Sequence, residues 1–376
     1  MRHRQRRSPM QEKLLLSLLG VTLLLTACSL GGAGSGADAG VRAGTKHEPK
    51  QQVGNKQSIV KARDDHQVVI GLSLDTLEEE RWKKDRDLFK AAVEGLGAEV
   101  DVQAANGDDA KQIAQAENMI SRGVDVLVVV PHNAEAGAAI VAKAHQAGIK
   151  VISYDRLILN ADVDLYISFD NEKAGELQAR AIVSKVPKGN YVLIEGADTD
   201  NNAHMFKKGQ MKVLKPFVDR GDIRIVYDQF TKEWIPANAR ANMEEALKAN
   251  HNAIDAVIAA NDGTAGGVIA ALAAQQMASH IPVSGMDAEL AAAQRIVDGT
   301  QTMTVYKPIP KLAEAAADLA VRMAIGEKVS TVKTVFNKKI DVPAILLEPI
   351  AVDRLNMDAT IIADGFHQRA DIYRTE

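Results

Sequence analysis

Short apolar runs rich in valine and isoleucine recur along this chain, and longer segments of helical period separate them. The clearest runs cover residues 68–74, 126–130, 150–154, 191–195, 223–227, 256–260 and 281–284. Continuous apolar runs are typical of strands whose two faces are both buried, and parallel neighbours require helical crossovers. The alternation therefore predicts an α/β fold built on parallel sheets. A length of 376 residues suits two domains of ordinary size.

Two stretches about 130 residues apart are similar to each other, which indicates an internal duplication. Residues 125–137 read DVLVVVPHNAEAG, and residues 255–266 read DAVIAANDGTAG. Each stretch leads into a predicted helix and then into a strand that ends at an aspartate, Asp155 in the first half and Asp287 in the second. The duplication predicts two doubly wound lobes. Ligands bind beyond the carboxyl ends of strands in open α/β sheets, so two facing lobes would share one cleft.

The first 27 residues have the form of an export signal. Basic residues open the chain, namely Arg2, Arg4, Arg6, Arg7 and Lys13. An apolar run over residues 14–25 follows, and it is too short to span a bilayer comfortably. The run ends in the sequence LTAC, which resembles the bacterial lipobox. We therefore expect residues 1–27 to be a cleaved signal peptide and Cys28 to carry a lipid anchor that holds the protein on a membrane.

The segment between the signal and the folded body, residues 28–67, is predicted to be a flexible linker. It is rich in glycine, alanine, serine, lysine and glutamine and has almost no bulky apolar residue. Cleavage of residues 1–27 removes five bases and one acid, so the formal charge changes from −4 to −8. An acidic body without basic clusters argues against a nucleic-acid partner. Cys28 is the only cysteine, so we expect neither a disulfide nor a thiolate metal site in the body.

Polar side chains gather at the predicted strand ends of both halves, and the two tryptophans lie in polar surroundings. Sugar hydroxyls donate and accept hydrogen bonds, so carboxylates, amides and cationic groups can all pair with them. The C–H faces of a sugar pack on aromatic rings. This mixture of side chains favours a sugar site. The residues concerned are Arg81, Trp82, Asp155, Arg156, Asp200, Asn201, Asn202, Trp234, Asn261, Asp262, Asp287 and Lys307.

These residues also have ordinary structural explanations, since an aspartate at a strand end is commonly a helix cap and a lone tryptophan is commonly core. Other kinds of site find less support. Residues 198–209 begin like an EF-hand loop, but Ala203 and Gly209 occupy the positions of its turn glycine and bidentate glutamate. Residues 263–267 lack the lysine of a phosphate-binding loop. The sequence has no nucleophile elbow, no Cys–His pair and no histidine cluster of ligand spacing. We expect no metal, no cofactor and no enzymatic activity.

Several longer stretches resemble the D-xylose-binding members of the type I periplasmic sugar-binding protein family, which serve ABC transporters. The stretches are residues 80–86, 115–120, 154–156, 166–173, 209–216 and 299–308. The resemblance implies a three-strand hinge, with the chain passing between the lobes near residue 174, near residue 308 and again in the 340s. The N-terminal lobe would then comprise residues 68–174 and about 308–340, and the C-terminal lobe residues 175–307 and about 341–376.

The resemblance also implies the ligand and the residues that hold it. The ligand would be D-xylose or a similar monosaccharide, with Trp82 and Trp234 as stacking surfaces. The polar ligand-binding residues would be Arg81, Asp155, Arg156, Asp200, Asn202, Asn261, Asp287 and Lys307. We expect a monomer, anchored through Cys28 in the periplasm or on the outer cell surface, that delivers the sugar to an ABC permease. Alternatives are another sugar such as ribose, arabinose or glucose, a sugar sensor for a receptor kinase, and an exported sugar-modifying enzyme.

Overall fold

The computed structural model describes residues 66–374. The predicted signal peptide over residues 1–27, the lipidation of Cys28 and nearly all of the linker over residues 28–67 lie outside this range. Every helix within residues 66–374 is too short or too polar to cross a bilayer.

The first part of the described chain alternates strands and helices and ends with two successive strands. Its elements are β1 (Val69–Leu74), α1 (Glu80–Gly95), β2 (Glu99–Ala104), α2 (Asp109–Ser121), β3 (Val126–Val129), α3 (Ala138–Gln146), β4 (Lys150–Tyr154) and β5 (Leu165–Phe169). The strands pair in parallel in the order β5-β4-β3-β1-β2. Each connection from β1 to β4 passes through a helix, as parallel neighbours require.

The second part repeats this plan. Its elements are α4 (Asn171–Lys185), β6 (Gly189–Ile194), α5 (Asn201–Asp219), β7 (Ile223–Gln229), a short 3₁₀ helix (Lys232–Trp234), α6 (Pro236–Ala249), β8 (Ala256–Ala259), α7 (Asp262–Ala274), α8 (Leu290–Asp298) and β9 (Thr304–Tyr306). The parallel order β7-β6-β8 matches the order β2-β1-β3 of the first sheet. The topology therefore agrees with the duplication predicted from the sequence.

The last part of the chain adds two strands to the first sheet and one strand to the second lobe. Its elements are α9 (Ile309–Ala324), β10 (Lys333–Phe336), β11 (Asp341–Leu347), β12 (Ile350–Val352), a π-helical turn (Asp358–Ile362) and α10 (Arg369–Tyr373). Strand β11 pairs in parallel with β5 and antiparallel with β10, so both strands extend the first sheet. Strand β12 pairs antiparallel with β9 in the second lobe.

Within the described residues the chain passes between the lobes at three places, near Asp170, at residues 307–308 and at residues 348–349. The first two lie within a few residues of the expected positions, and the third lies in the 340s, where it was expected. The boundary expected at about residue 341 is wrong, because Asp341–Leu347 is a strand of the first sheet. This part of the first lobe therefore extends to Leu347, and the chain then crosses to the second lobe.

The core of the first lobe lies on both faces of its sheet, which explains the continuous apolar runs. Along β3, Val126 and Val128 pack in a cluster with α1 and α9, whereas Leu127 and Val129 pack in a second cluster with α2 and α3. All four side chains are fully buried. Because both faces are covered, a central strand such as β3 is apolar along its whole length.

The predicted strands agree with the structure except at residues 281–284. That run makes only an isolated bridge, Val283 to Val257. Pro282 lies beside the bridge and has no N–H to continue a ladder, and the chain then turns into the cleft. In the first lobe, the equivalent place beside β3 is occupied by a full strand, β4.

Candidate ligand-binding site

A small polar cavity, partly open to solvent, lies between the lobes at the carboxyl ends of the parallel strands. Its lining includes all ten side chains that the family resemblance implies for ligand binding. These are Arg81, Trp82, Asp155, Arg156, Asp200, Asn202, Trp234, Asn261, Asp287 and Lys307. Glu79 and Phe206 complete the lining. Asn201 and Asp262, which the strand-end pattern also singled out, do not line it.

The first lobe places its cavity residues on a helix start and on one strand end. Arg81 and Trp82 lie in the first turn of α1, and Asp155 and Arg156 directly follow β4. Asp155 has a positive φ of 58°, a strained conformation for a residue with a side chain. Its carbonyl accepts hydrogen bonds from Tyr166 Oη at 3.0 Å and Ser168 Oγ at 2.6 Å, so the surrounding strand holds the strained turn in place.

The second lobe uses helix caps that also face the cavity. Asp200 accepts a hydrogen bond from the Asn202 backbone N–H at 2.9 Å and caps α5. Asn261 and Thr264 form a capping box at the start of α7. The ordinary explanation of these residues as caps is therefore correct, and it coexists with their position on the cavity wall. Capping fixes each side chain before any ligand arrives.

Trp234 lies against a glycine whose missing side chain makes room for it. The residue ends the 3₁₀ helix with φ of 59°, and its side chain is buried. A Cβ atom added to Gly196 would lie 2.0 Å from Cη2 of the indole, so the ring sits directly on the glycine backbone. Phe206 meets the ring edge-on, with 6.4 Å between centroids. The position of this aromatic wall is thus set by Gly196 and Phe206.

Trp82 forms the aromatic wall of the first lobe. The Arg81 guanidinium lies 4.2 Å from its ring centroid and the Arg156 guanidinium 5.1 Å from it, both within cation–π range. Neither the Trp82 nor the Trp234 indole N–H has a hydrogen-bond partner within residues 66–374.

The arginine, lysine and aspartate side chains of the cavity are almost fully buried, and they compensate one another. Arg81 contacts Asp85 at 3.2 Å, Asp155 at 3.0 Å and Asp287 at 3.3 Å, and Lys307 contacts Asp287 at 2.9 Å. Buried charges are tolerated when each one is paired. The network therefore keeps the cavity polar without leaving a lone buried charge among these side chains.

Arg156 is also buried and pairs with two carboxylates, one from each lobe. It pairs with Asp75 of the first lobe at 2.6 Å and with Asp200 of the second lobe at 2.8 Å. Asp75 in turn contacts the ring of His132 at 2.8 Å.

The local field shifts the protonation of these carboxyl groups in different directions. Burial opposes ionisation of Asp155, but Arg81 and Lys307 hold its pKa below the ordinary value. Burial raises the pKa of Asp85 to about 6 and that of Glu79 to about 7, because their cationic neighbours offset only part of the desolvation. Glu79 is therefore partly neutral at neutral pH.

Several contacts join the lobes across the cleft besides the Arg81–Asp287 and Arg156–Asp200 pairs. Asn202 Nδ2 of the second lobe donates to the Asp155 carbonyl and to Asp155 Oδ1 of the first, both at 3.1 Å. The Ala134 backbone N–H donates to the Thr199 carbonyl at 2.9 Å. The structure is thus a closed state of the two lobes.

Sequence reasoning missed four charged or aromatic members of this site, namely Asp75, Glu79, Asp85 and Phe206. Asp75 directly follows β1, so the strand-end rule would have found it. Asp85 lies one helical turn after Arg81, and Phe206 one turn after Asn202, so helical period would have placed both beside known members. Within the described residues, no group of histidine, cysteine or acidic side chains could hold a metal ion.

Comparisons with known proteins find relatives over most of the described chain. A family model for the periplasmic binding protein domain matches residues 70–328. The D-xylose-binding periplasmic protein of Haemophilus influenzae is 54% identical over 304 residues, covering 81% of this chain and 92% of that protein. The D-xylose-binding periplasmic protein of Escherichia coli is 54% identical over 306 residues, covering 81% and 93%.

A solved structure shares both fold and sequence. A carbohydrate transporter solute-binding protein from Chloroflexus aurantiacus, in complex with D-glucose, superposes with a TM-score of 0.78 at 33% identity. The match covers 81% of this chain and 98% of that protein.

Proposed function

Because this chain belongs to the periplasmic binding protein family, we propose that it captures D-xylose in the cavity between its lobes and delivers it to an ABC permease. Members of the family are transport components rather than enzymes, and this chain is not an enzyme. The proposal for D-xylose draws on the two 54% identical relatives that carry this sugar in their names.

The balance of charge on the cavity wall is the observation that carries the proposal. The lining has three cationic side chains, Arg81, Arg156 and Lys307, and three aspartates, Asp155, Asp200 and Asp287. Glu79 also lines the cavity, but its pKa is raised to about 7, so the two signs remain nearly balanced. A near balance favours a neutral ligand that can donate and accept hydrogen bonds, which a sugar does at each hydroxyl. Trp82 and Trp234 offer aromatic surface for the C–H faces of the ring.

The mechanism we propose is ligand-stabilised closure. A sugar that contacts Arg81 and Asp155 of one lobe and Asn261 and Asp287 of the other binds the closed state better than the open one. It therefore shifts the lobes towards closure by that difference in binding free energy. The permease then recognises the closed surface.

The location we propose combines export with anchoring. The family is periplasmic, and residues 1–27 read as an export signal. The lipobox ending at Cys28 supports an anchor that keeps a monomeric binding protein on a membrane near its permease. Radiolabelled palmitate should label the parent and not a Cys28→Ser variant, and an unlabelled parent would contradict the anchor.

Calorimetric titration of the chain from residue 28, with Cys28→Ser, tests the ligand. D-xylose should bind most tightly, and D-ribose, L-arabinose and D-glucose at least about tenfold more weakly, because the closed cavity is small and one misplaced hydroxyl leaves buried groups unpaired. D-glucose is the second candidate, since the 33% identical structure was solved with it. Equal affinity for D-glucose would contradict pentose selectivity, and no heat with any of the four sugars would contradict the site.

A further inference from the structure

The turn that carries Asp287 into the cavity has a strained backbone. Asp287 has φ of 92° and the next residue, Ala288, has φ of 52°. Two consecutive residues with side chains at positive φ are costly, and such a turn persists only where its surroundings over-determine it. Asp287 is also the carboxylate that Arg81 and Lys307 share. The position of this one turn thus contributes to the placement of both cations.

Hydrogen bonds from neighbouring elements hold each side of the turn. The Asp287 N–H donates to the Val305 carbonyl at 2.8 Å, and the Ala288 N–H donates to Thr304 Oγ1 at 3.1 Å. Both partners belong to β9. On the other side of the turn, Nε2 of His367 lies 2.7 Å from the Ala288 carbonyl.

The His367 contact is a buried hydrogen bond with a defined donor. A carbonyl oxygen only accepts, so Nε2 of His367 carries the proton. The side chain is 8% exposed, and burial lowers the pKa of the imidazole, which therefore stays neutral at neutral pH. The contact requires only that Nε2 carries a proton, and the neutral ring meets this requirement in the tautomer protonated at Nε2.

The segment that supplies His367 also packs on the side chain of Ala288. Residues 353–374 follow the last crossing between the lobes and pack against α8. Ala288 lies in one apolar cluster with Met357, Ile361 and Ile372 of this segment. Gln294 of α8 donates to the Asp371 carbonyl at 2.8 Å and fixes the end of the segment. The C-terminal segment therefore contacts the turn through both a hydrogen bond and apolar packing.

We propose that His367 is a positioning residue for sugar binding: its hydrogen bond to the Ala288 carbonyl holds the left-handed turn that aims Asp287 into the cavity. The inference rests on the proposed function, because it assigns a role to a residue outside the cavity in the binding of that sugar. His367 does not line the cavity, so it acts only through the turn.

Three variants titrated with D-xylose separate this role from general packing. His367→Leu fills the space without a donor and should weaken binding about five- to tenfold, the range expected when a buried carbonyl loses its partner. His367→Gln keeps an N–H₂ group near the position of Nε2 and should bind within about threefold of the parent. Gln368→Leu, an exposed neighbour in the same segment, is the matched control and should bind as the parent does.

A double-mutant cycle with Asp287→Asn tests whether His367 acts through Asp287. The factor by which His367→Leu weakens binding should be clearly smaller in the Asp287→Asn background than in the parent. An equal factor in both backgrounds would overturn the inference, and so would a His367→Gln variant as weak as His367→Leu. If His367→Leu does not fold, His367→Asn, whose amide is too short to reach the carbonyl, replaces it in the cycle.

The same titrations distinguish the two proposals. A folded parent that binds no D-xylose overturns the proposed function and this inference with it. A parent that binds D-xylose while His367→Leu binds equally well overturns the role of His367 alone.

Discussion

Arg81 and Asp287 form an ion pair across the cleft, with 3.3 Å between Nη1 of the arginine and Oδ1 of the aspartate. Arg81 is 4% exposed and Asp287 is 7% exposed. Closing the lobes therefore strips water from both groups, and this desolvation offsets much of their attraction. The pair by itself provides little net drive for closure. A sugar that hydrogen-bonds to both groups adds the interaction that tips the balance towards the closed state.

Asp287→Ala should weaken D-xylose binding by at least about tenfold. The variant removes the partner that Arg81 and Lys307 share, and a hydrogen bond to a charged group contributes roughly 1.5–3 kcal/mol. Calorimetric titration measures the effect. Asp298→Ala is the matched control, because Asp298 lies at the end of α8 with 49% of its side chain exposed. An Asp287→Ala variant that binds as tightly as the parent would remove Asp287 from the site.

Gly196→Ala should weaken D-xylose binding roughly fivefold, because the new Cβ atom displaces the Trp234 ring and an aromatic contact is worth about 1 kcal/mol. The overlap is severe, with 2.0 Å between the added atom and the indole. Gly95→Ala is the control, since a Cβ atom there meets nothing within 4 Å. Unchanged affinity in Gly196→Ala would show that the ring position does not matter to the ligand.

Glu195→Gln should flatten the pH dependence of stability. Glu195 is fully buried, neither carboxyl oxygen has a hydrogen-bond partner within residues 66–374, and burial raises its pKa to about 8 from 4.5. The folded protein therefore holds a proton that the unfolded chain releases, and the free energy of unfolding falls as pH rises from about 4.5 to about 8.

Urea unfolding of the parent and of Glu195→Gln across this pH range measures the difference. The variant should lose less stability than the parent as the pH rises. Glu244→Gln, at an exposed position on α6, should follow the parent. Identical slopes for the parent and Glu195→Gln would mean that Glu195 ionises normally in the folded state.

His132 should stabilise the fold more in acid than in alkali. Its hydrogen bond with Asp75 raises the pKa of the imidazole above 6.5, and Asp75 also holds Arg156. A group whose pKa is raised in the folded state contributes its full stability below the unfolded pKa and loses it as pH rises through the folded pKa.

The measurement compares the free energy of unfolding of the parent and of His132→Asn at about pH 5.5 and about pH 8.5. The difference between them should be larger at the lower pH. His280→Asn, at an exposed position after α7, should show no such trend. A difference that grows with pH would reverse the assignment.

The sequence predicted the fold most reliably where burial leaves a simple pattern. Strands β1, β3, β4, β6, β7 and β8 were found as apolar runs. Strand β2 was missed, because Glu99–Ala104 lies at the edge of the sheet and is only partly buried, so polar and apolar residues alternate along it. Strands β5, β9, β10, β11 and β12 were also missed. Strand β10 pairs with β11 as a local hairpin, but the other partner of β11 lies far away in the chain, and only the tertiary fold brings Ala344 beside Tyr166.

Part of the cavity could be predicted from the topology of the sheets. Strand ends and helix starts converge in an open α/β sheet, so Asp155 and Asn261 could be placed near each other from the topology alone. The resemblance to sugar-binding proteins, which the family match and the 54% identical relatives confirm, supplied the selection among these residues. The contacts that hold the cavity residues in place from outside the cavity could not be predicted. His367 is 79 residues from Ala288, and no local pattern signals a contact over that distance.

The chain has two tryptophans, and both lie on the cavity wall, one in each lobe. Their emission therefore comes wholly from the walls of the cleft, without a background from indoles elsewhere. Trp82 lies under two guanidinium groups and Trp234 lies on bare backbone, so each ring has a different electrostatic setting. Tryptophan fluorescence can therefore report on the cleft. Replacing either tryptophan by phenylalanine would leave only the emission of the ring in the other lobe.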